Sequence, residues 1–179
     1  MVGAEENIAG GKRIDFFLFF VLGSLICLLI FFIIILASVP PVSKDALTHH
    51  LAVPKLYIKH GGIYEIPFMI SSYNPMNLDL LYIIPLYFGN DIIPKFIHFS
   101  FALFTAWLIF DYLKRRISTI YALLGATFFL SIPIIVKLSI TVYVDLGLIF
   151  FSMVSLLLLM KWVETGFRLR FLILSLIHI

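Results

Sequence analysis

The chain has 179 residues, of which 62% are hydrophobic and only 13% charged, and its mean hydropathy is +1.10. A soluble domain carries about a quarter charged residues to cover its surface, so the composition excludes a soluble globular protein and marks an integral membrane one. The net charge of +3 comes from basic residues scattered among apolar runs, which leaves no continuous basic face for a nucleic acid to follow.

Residues 1–15 form a short tail containing Lys12 and Arg13. Phe16 to Ala37 is then a run of 22 residues without a charge, long enough to cross a hydrocarbon core of about 30 Å as a helix. A secretory signal has an apolar region of about 7 to 15 residues and a small-x-small cleavage site. "LASVPP" fits that poorly, so the run reads as a retained anchor. Cys27, the single cysteine, lies in its middle and reads as a packing or lipid-facing residue, since one thiol assembles neither a disulfide nor a metal cluster.

Residues 38–91 form a long loop that gathers ionisable groups. Pro40 and Pro41 end the first span, and Ser43 is placed to cap a helix starting at Lys44 with Asp45 in its first turn. The helix dipole favours a carboxylate there by about 0.3 to 1 kcal/mol. On a regular helix Asp45 and His49 share a face, whereas His50 is rotated away. Pro54 removes the hydrogen bond to the carbonyl of His50, so a kink or break is expected near that turn. Gly61 and Gly62 close the segment, and Tyr57, Tyr64 and Tyr73 are expected as interfacial anchors. "MNLDLLYIIPLYFG", residues 76–89, holds Asp79 and Pro85 and has 14 residues. That is too short for the bilayer, so it is expected as a helix lying in the interface or tucked among the spans.

A second span is predicted over 92–113, interrupted near its start by Pro94, Lys95 and His98 and followed by Lys114, Arg115 and Arg116. A third covers 117–133, a short loop 134–145, and a fourth span 146–162; a fifth begins at 169. Short loops rich in lysine and arginine stay in the cytoplasm. A cytoplasmic N-terminus puts Lys12, Arg13, Lys114, Arg115, Arg116, Lys161, Arg168 and Arg170 inside, eight of the 13 basic residues. The expected fold is all-α: a polytopic transmembrane helix bundle in the cell membrane, with an external loop carrying interfacial helices.

Under that topology Asp45 and Asp145, 100 residues apart, fall at the same membrane face, with Lys137 and Tyr143 beside the second. Each acid suits a helix start and needs no further role. Ionisable groups at membrane depth are costly, however, and by default they mark a site. Asp45, His49 and Asp145 are metal-ligand types without a diagnostic spacing, so a divalent metal is only weakly indicated. No phosphate-cradling glycine loop, H-E-x-x-H or nucleophile elbow is present, which disfavours soluble nucleotide-dependent chemistry.

Three stretches, "DALTHHLAVPKLYIKHGGI", "YNPMNLDLLYIIPLYFGND" and "IPIIVKLSITVYVDLGLIFF", carry a resemblance over residues 16–163. The chain resembles the N-terminal part of the membrane-embedded glycosyltransferases of the GT-C superfamily, in the family 39-like branch of protein O-mannosyltransferases and aminoarabinose transferases. The resemblance implies a polyprenyl-phosphate-linked sugar as donor, a hydroxyl on a lipid, glycan or protein as acceptor, and inversion at the anomeric carbon. It implies Asp45 as catalytic base and Asp145 as a second acid of the site, in the family often beside a metal. Ala46 stands where some branches have a further acid.

A lipid phosphate is already an adequate leaving group, so the main demands are a base and positive charge near the phosphate. Lys137, or Lys55 or Lys59, is expected to supply the charge. His50 stands where the branch tends to have histidine before an L-x-x-P turn, which ranks it above His49 as a substrate-binding residue, with Tyr143. Tyr73, Asn74 and Pro75 are expected to turn the interfacial helix back to the site.

Family members continue through several more spans. The resemblance therefore predicts that this chain is an N-terminal portion, inactive by itself, and that the ending "LSLIHI", similar to translated adapter sequence, is not native. Two other classes fit the composition. A transporter or flippase fragment would line its path with Asp45, Asp145 and the histidines, although such groups usually sit near the midplane on broken helices. A non-catalytic membrane subunit would use the loop to hold a partner.

Overall fold

A backbone surrounded by hydrocarbon must satisfy its own amides and carbonyls. In the computed structural model, which describes residues 2–73 and 76–177, every regular element among the described residues is accordingly helical. Helix α1, Val2–Ala37, is apolar almost all round from Phe16 onward. It buries Ile33 and Ala37 while Phe16, Phe17, Phe20, Phe31 and Phe32 stay exposed. Among the described residues three helices are long and apolar enough to cross a membrane: residues Ile14–Ala37 of α1, α4 (Ile93–Arg116) and α7 (Asp145–Glu164).

The expected third span differs from a straight helix. Helix α5, Thr119–Ser131, starts at Ser118, whose side chain accepts a hydrogen bond from the Tyr121 amide. It is followed at once by α6, Pro133–Ser139, bent away by 67°. Pro133 has no N–H to continue the ladder and forces the residue before it out of the helical region; Ile132 lies at φ −60°, ψ 124°. Counted as one broken span, α5 and α6 bring the number of membrane-length elements to four. The 134–145 stretch, expected as a loop, is therefore helical for about half its length.

Helix α4 is the central element, packed on α5 and α7. Phe99, Ala102 and Ala106 of α4 form one core with Ile33, Ala126, Leu130, Ile135 and Leu146. Gly125 lets α4 and α5 approach closely: a Cβ there would stand 2.5 Å from Leu113 Cδ1 and 3.3 Å from Ile109 Cγ2. Chain direction then places the end of α1 and the starts of α4 and α7 at one end of the molecule, with α6. The turns 116–119 and 164–169 lie at the opposite end, where Arg116 pairs with Glu164 and Arg115 with Asp111.

The 38–91 segment folds over the first of these ends. Helix α2, Ala52–His60, stops where Gly61 takes the left-handed conformation at φ 83°, a helix end that glycine adopts without a Cβ clash. After a 3₁₀ turn at Ile70–Tyr73 comes α3, Asp79–Tyr87. Helix α3 is shorter than the apolar run that suggested it. It buries Asp79, Tyr82 and Leu86 and packs against α2 and α4. Tyr57, expected at an interface, is instead buried with Val53 and Ile66, because the turn after α2 folds back over it.

Gly125→Val is expected to destabilise the bundle by about 1–3 kcal/mol through overpacking, read as a lower thermal unfolding midpoint in detergent. An unchanged midpoint would mean that α4 and α5 are not in close contact at this point.

Candidate functional site

The site begins with an irregular helix. Lys44 and Asp45 start a helical turn, but Ala46–His50 is a π-turn, in which the Leu51 amide bonds to the Ala46 carbonyl five residues back at 2.9 Å. Pro54 offers no N–H to the His50 carbonyl, and the regular helix restarts only at Ala52. The expected break is therefore present, in the form of a widened turn.

That widening changes which residues share a face. Residues four apart align on an α-helix, whereas the five-residue bonding of the π-turn aligns Asp45 with His50. Both reach Tyr143. Its hydroxyl donates to Asp45 Oδ2 at 3.4 Å and pairs with Ser43 Oγ at 2.9 Å. Its ring meets the His50 ring edge to face at 5.3 Å. His50, expected to be rotated away from Asp45, therefore meets it at a common partner. Ser43 does not cap the helix; its hydroxyl is committed to Tyr143. His49 is exposed.

Behind His50 stands a carboxylate that sequence reasoning treated only as an interruption. Asp79, 3% exposed, holds His50 Nδ1 at 2.8 Å. Tyr82, one turn further along α3, donates to the Tyr143 carbonyl at 2.5 Å. Burial first, and then the charges of Asp79 and Asp145, push the Tyr82 phenol well above its ordinary range, so it remains a donor. Asp45 itself is exposed, and Tyr143 accounts for one of its two oxygens.

Asp145 opens α7 two residues after Tyr143 and is exposed. The start of that helix is held from α4: fully buried His98 accepts the Leu146 amide on Nε2 at 3.0 Å, and its Nδ1 faces the Leu138 and Thr141 carbonyls, both at 3.1 Å. One chain of contacts therefore runs from Asp45 through Tyr143 to the backbone that carries Asp145.

The other expected residues lie apart. Lys137 is exposed on α6, and no hydrogen bond or ion pair among the described residues joins its ammonium to Asp45, Tyr143 or Asp145. Lys55 is paired with Asp91 at 2.7 Å, and Lys59 is exposed near the end of α2. Tyr73 donates to Glu65 at 2.5 Å, away from the site, and that hydrogen bond, more than burial or the Glu65 charge, raises its phenol above the usual value. Asn74 and Pro75 lie outside the described residues. Among the described residues no three His, Cys, Asp or Glu side chains gather as metal ligands. The donor set of the described residues therefore does not fit a metal centre.

Asp79 and His98 carried a signal in the sequence, since an ionisable residue inside an apolar run is a site hypothesis by default. Their partners, 29 and 48 residues away, had no local signature.

Over the described residues the fold is all-helical, with three helices, or four spans with the broken pair counted as one, apolar enough to cross a membrane. No family model, curated protein or solved structure matches the chain.

Asp79→Ala leaves His50 Nδ1 without its partner and is expected to cost about 1–3 kcal/mol. Asp79→Asn, which keeps an acceptor oxygen, should recover most of that. Thermal unfolding of the two variants in detergent is the measurement, and equal midpoints for both would remove the pair from any structural role.

Proposed function

We propose that the chain is part of a polytopic membrane glycosyltransferase. It transfers a sugar from a polyprenyl-phosphate-linked donor to a hydroxyl acceptor on a lipid, glycan or protein at the external membrane face. The observation that carries this reading is the exposed Asp45 carboxylate, tethered by Tyr143 beside the His50–Asp79 pair at one end of the helices. Placing the N-terminus in the cytoplasm puts Lys114, Arg115, Arg116 and Lys161 on the cytoplasmic side, in keeping with the bias of basic residues. The site then faces outward.

The chemistry asks little of the protein beyond position and charge. Asp45 takes the proton of the acceptor hydroxyl as its oxygen bonds to the anomeric carbon. The bond from that carbon to the lipid phosphate oxygen breaks with its electron pair, and the lipid phosphate leaves. The configuration inverts, because attack and departure lie on opposite faces. Tyr143 holds Asp45 in place, and His50, oriented through Nδ1 by Asp79, contributes Nε2 to a substrate hydroxyl. Asp145 stands at the same edge to receive a second hydroxyl.

In the full-length protein, Asp45→Asn is expected to lower turnover by about 10²–10⁴-fold, the usual worth of a positioned base, with unchanged membrane insertion. Transfer from a radiolabelled lipid-linked sugar in isolated membranes measures it, and retained turnover takes the role of base away from Asp45. Orientation is tested separately in a Cys27→Ser background. Ile63→Cys should react with an impermeant thiol reagent on intact cells, and Arg115→Cys only after permeabilisation. The reverse pattern would turn the site toward the cytoplasm.

A further inference from the structure

The end of α1 and the strap after it form one wall of a cavity of about 280 Å³. Leu36, Val39, Pro41 and Ile140 represent its apolar lining, and the polar side chains are those of Ser43, Thr141 and Lys95. The two hydroxyls are already paired. Thr141 donates to the Lys137 and Leu138 carbonyls at 3.2 and 3.1 Å, and Ser43 pairs with Tyr143. Lys95 differs. It is 4% exposed, and its ammonium donates to the Val39 carbonyl, one acceptor for a group with three donors. Among the described residues no carboxylate lies within ion-pair reach of it.

A buried ammonium without a counter-charge is expensive. A carbonyl dipole offsets part of that cost and leaves the positive charge uncompensated. The lysine stem reaches this cavity from the first turn of α4. The cavity thus combines an apolar wall, a single fixed cation and a position at the end of the helices.

We propose that it is a binding site for the phosphate of an anionic lipid, with the Lys95 ammonium on the phosphate and the first carbons of the chain against the apolar wall. Ammonium binds phosphate as a point charge, and anionic lipids present such phosphates at membrane surfaces. The volume lies just under the roughly 300–1,000 Å³ that enclose a drug-sized ligand, so the cavity takes the headgroup end of one chain and leaves the remainder in lipid. Ser43, which also lines the cavity, pairs with Tyr143. The inference rests on the membrane placement proposed above and not on Asp45 acting as a base.

The test is calorimetric titration of the purified chain, in nanodiscs of neutral phosphatidylcholine, with farnesyl monophosphate. Farnesol and inorganic phosphate serve as controls and should each bind at least tenfold more weakly. Lys95→Met keeps the stem and should weaken farnesyl phosphate binding at least tenfold, whereas Lys95→Arg stays within a few-fold of wild type. Ile140→Phe, which fills the cavity without touching the charge, should weaken binding to a similar extent. Unfolding midpoints verify that each variant is folded.

Wild-type affinity in folded Lys95→Met overturns the site, as does wild-type affinity in Ile140→Phe should Lys95→Met not fold. Inorganic phosphate binding as tightly as the lipid makes it a phosphate site and overturns the lipid assignment. Binding of farnesyl phosphate without sugar transfer in the Asp45 assay leaves this site standing and removes the transferase reading. Absence of binding by wild type removes the site whatever the transfer result.

Discussion

His98 is the joint on which one end of the molecule depends. It lies fully buried in α4, takes the Leu146 amide on Nε2 and faces the carbonyls of Leu138 and Thr141 with Nδ1. Accepting an amide on Nε2 leaves the proton on Nδ1, so the geometry fixes a neutral imidazole with one tautomer. Its partners lie where α6 stops and α7 starts: the Leu138 carbonyl near the end of α6, the Thr141 carbonyl just beyond it and the Leu146 amide in the first turn of α7. That amide, one of the helix-start donors with no partner inside the helix, would cost about 1–3 kcal/mol if left unpaired in an apolar environment. One side chain thus holds the non-helical connection between α6 and α7, and that connection carries Tyr143 and leads to Asp145.

The second constraint is the π-turn at Ala46–His50. Its cause is proline chemistry: Pro54 cannot donate to His50, and the chain absorbs the fault by widening the preceding turn. The consequence is a shift of phase that brings His50 together with Asp45 onto Tyr143. Tyr143 sits where the two helical systems meet, touched by Ser43, Asp45 and His50 from the strap and by Tyr82 from α3. A residue from the second apolar edge is therefore held by four residues of the long loop, and the two stretches with exposed acids become one surface.

The apolar elements were legible in the sequence because length and charge depletion suffice to identify them. The first, second and fourth spans correspond to helices within a few residues of the expected bounds at the site end. The bend at Ile132 was also written there, in Pro133, but apolar length dominated the reading of that stretch. The juxtaposition of Asp45 with Tyr143 was not legible, since it needs the tertiary packing of α3 and α6 on α4. The face shared by Asp45 and His50 was misread for a narrower reason: a regular helix was assumed across a proline known to break it. Asp79 and Lys95 were discounted as breaks in apolar runs, and a break acquires meaning only once the opposing side chain, or its absence, is in view.

The two ends of the molecule treat charge differently. At one end Lys114, Arg115, Arg116 and Glu164 are exposed, and exposed ion pairs contribute about 0–1 kcal/mol. At the other, Asp79, Lys95 and His98 are buried, where apolar residues of similar volume would often serve stability as well or better. His98 is offset by the backbone groups it satisfies and Asp79 by His50. Lys95 reaches only the Val39 carbonyl, so the positive charge left over belongs to the cavity and not to the fold. Ser43 of the cavity wall pairs with Tyr143, which donates to the exposed Asp45 carboxylate. A cation set in an apolar wall without a carboxylate within ion-pair reach among the described residues is the feature that packing alone does not explain.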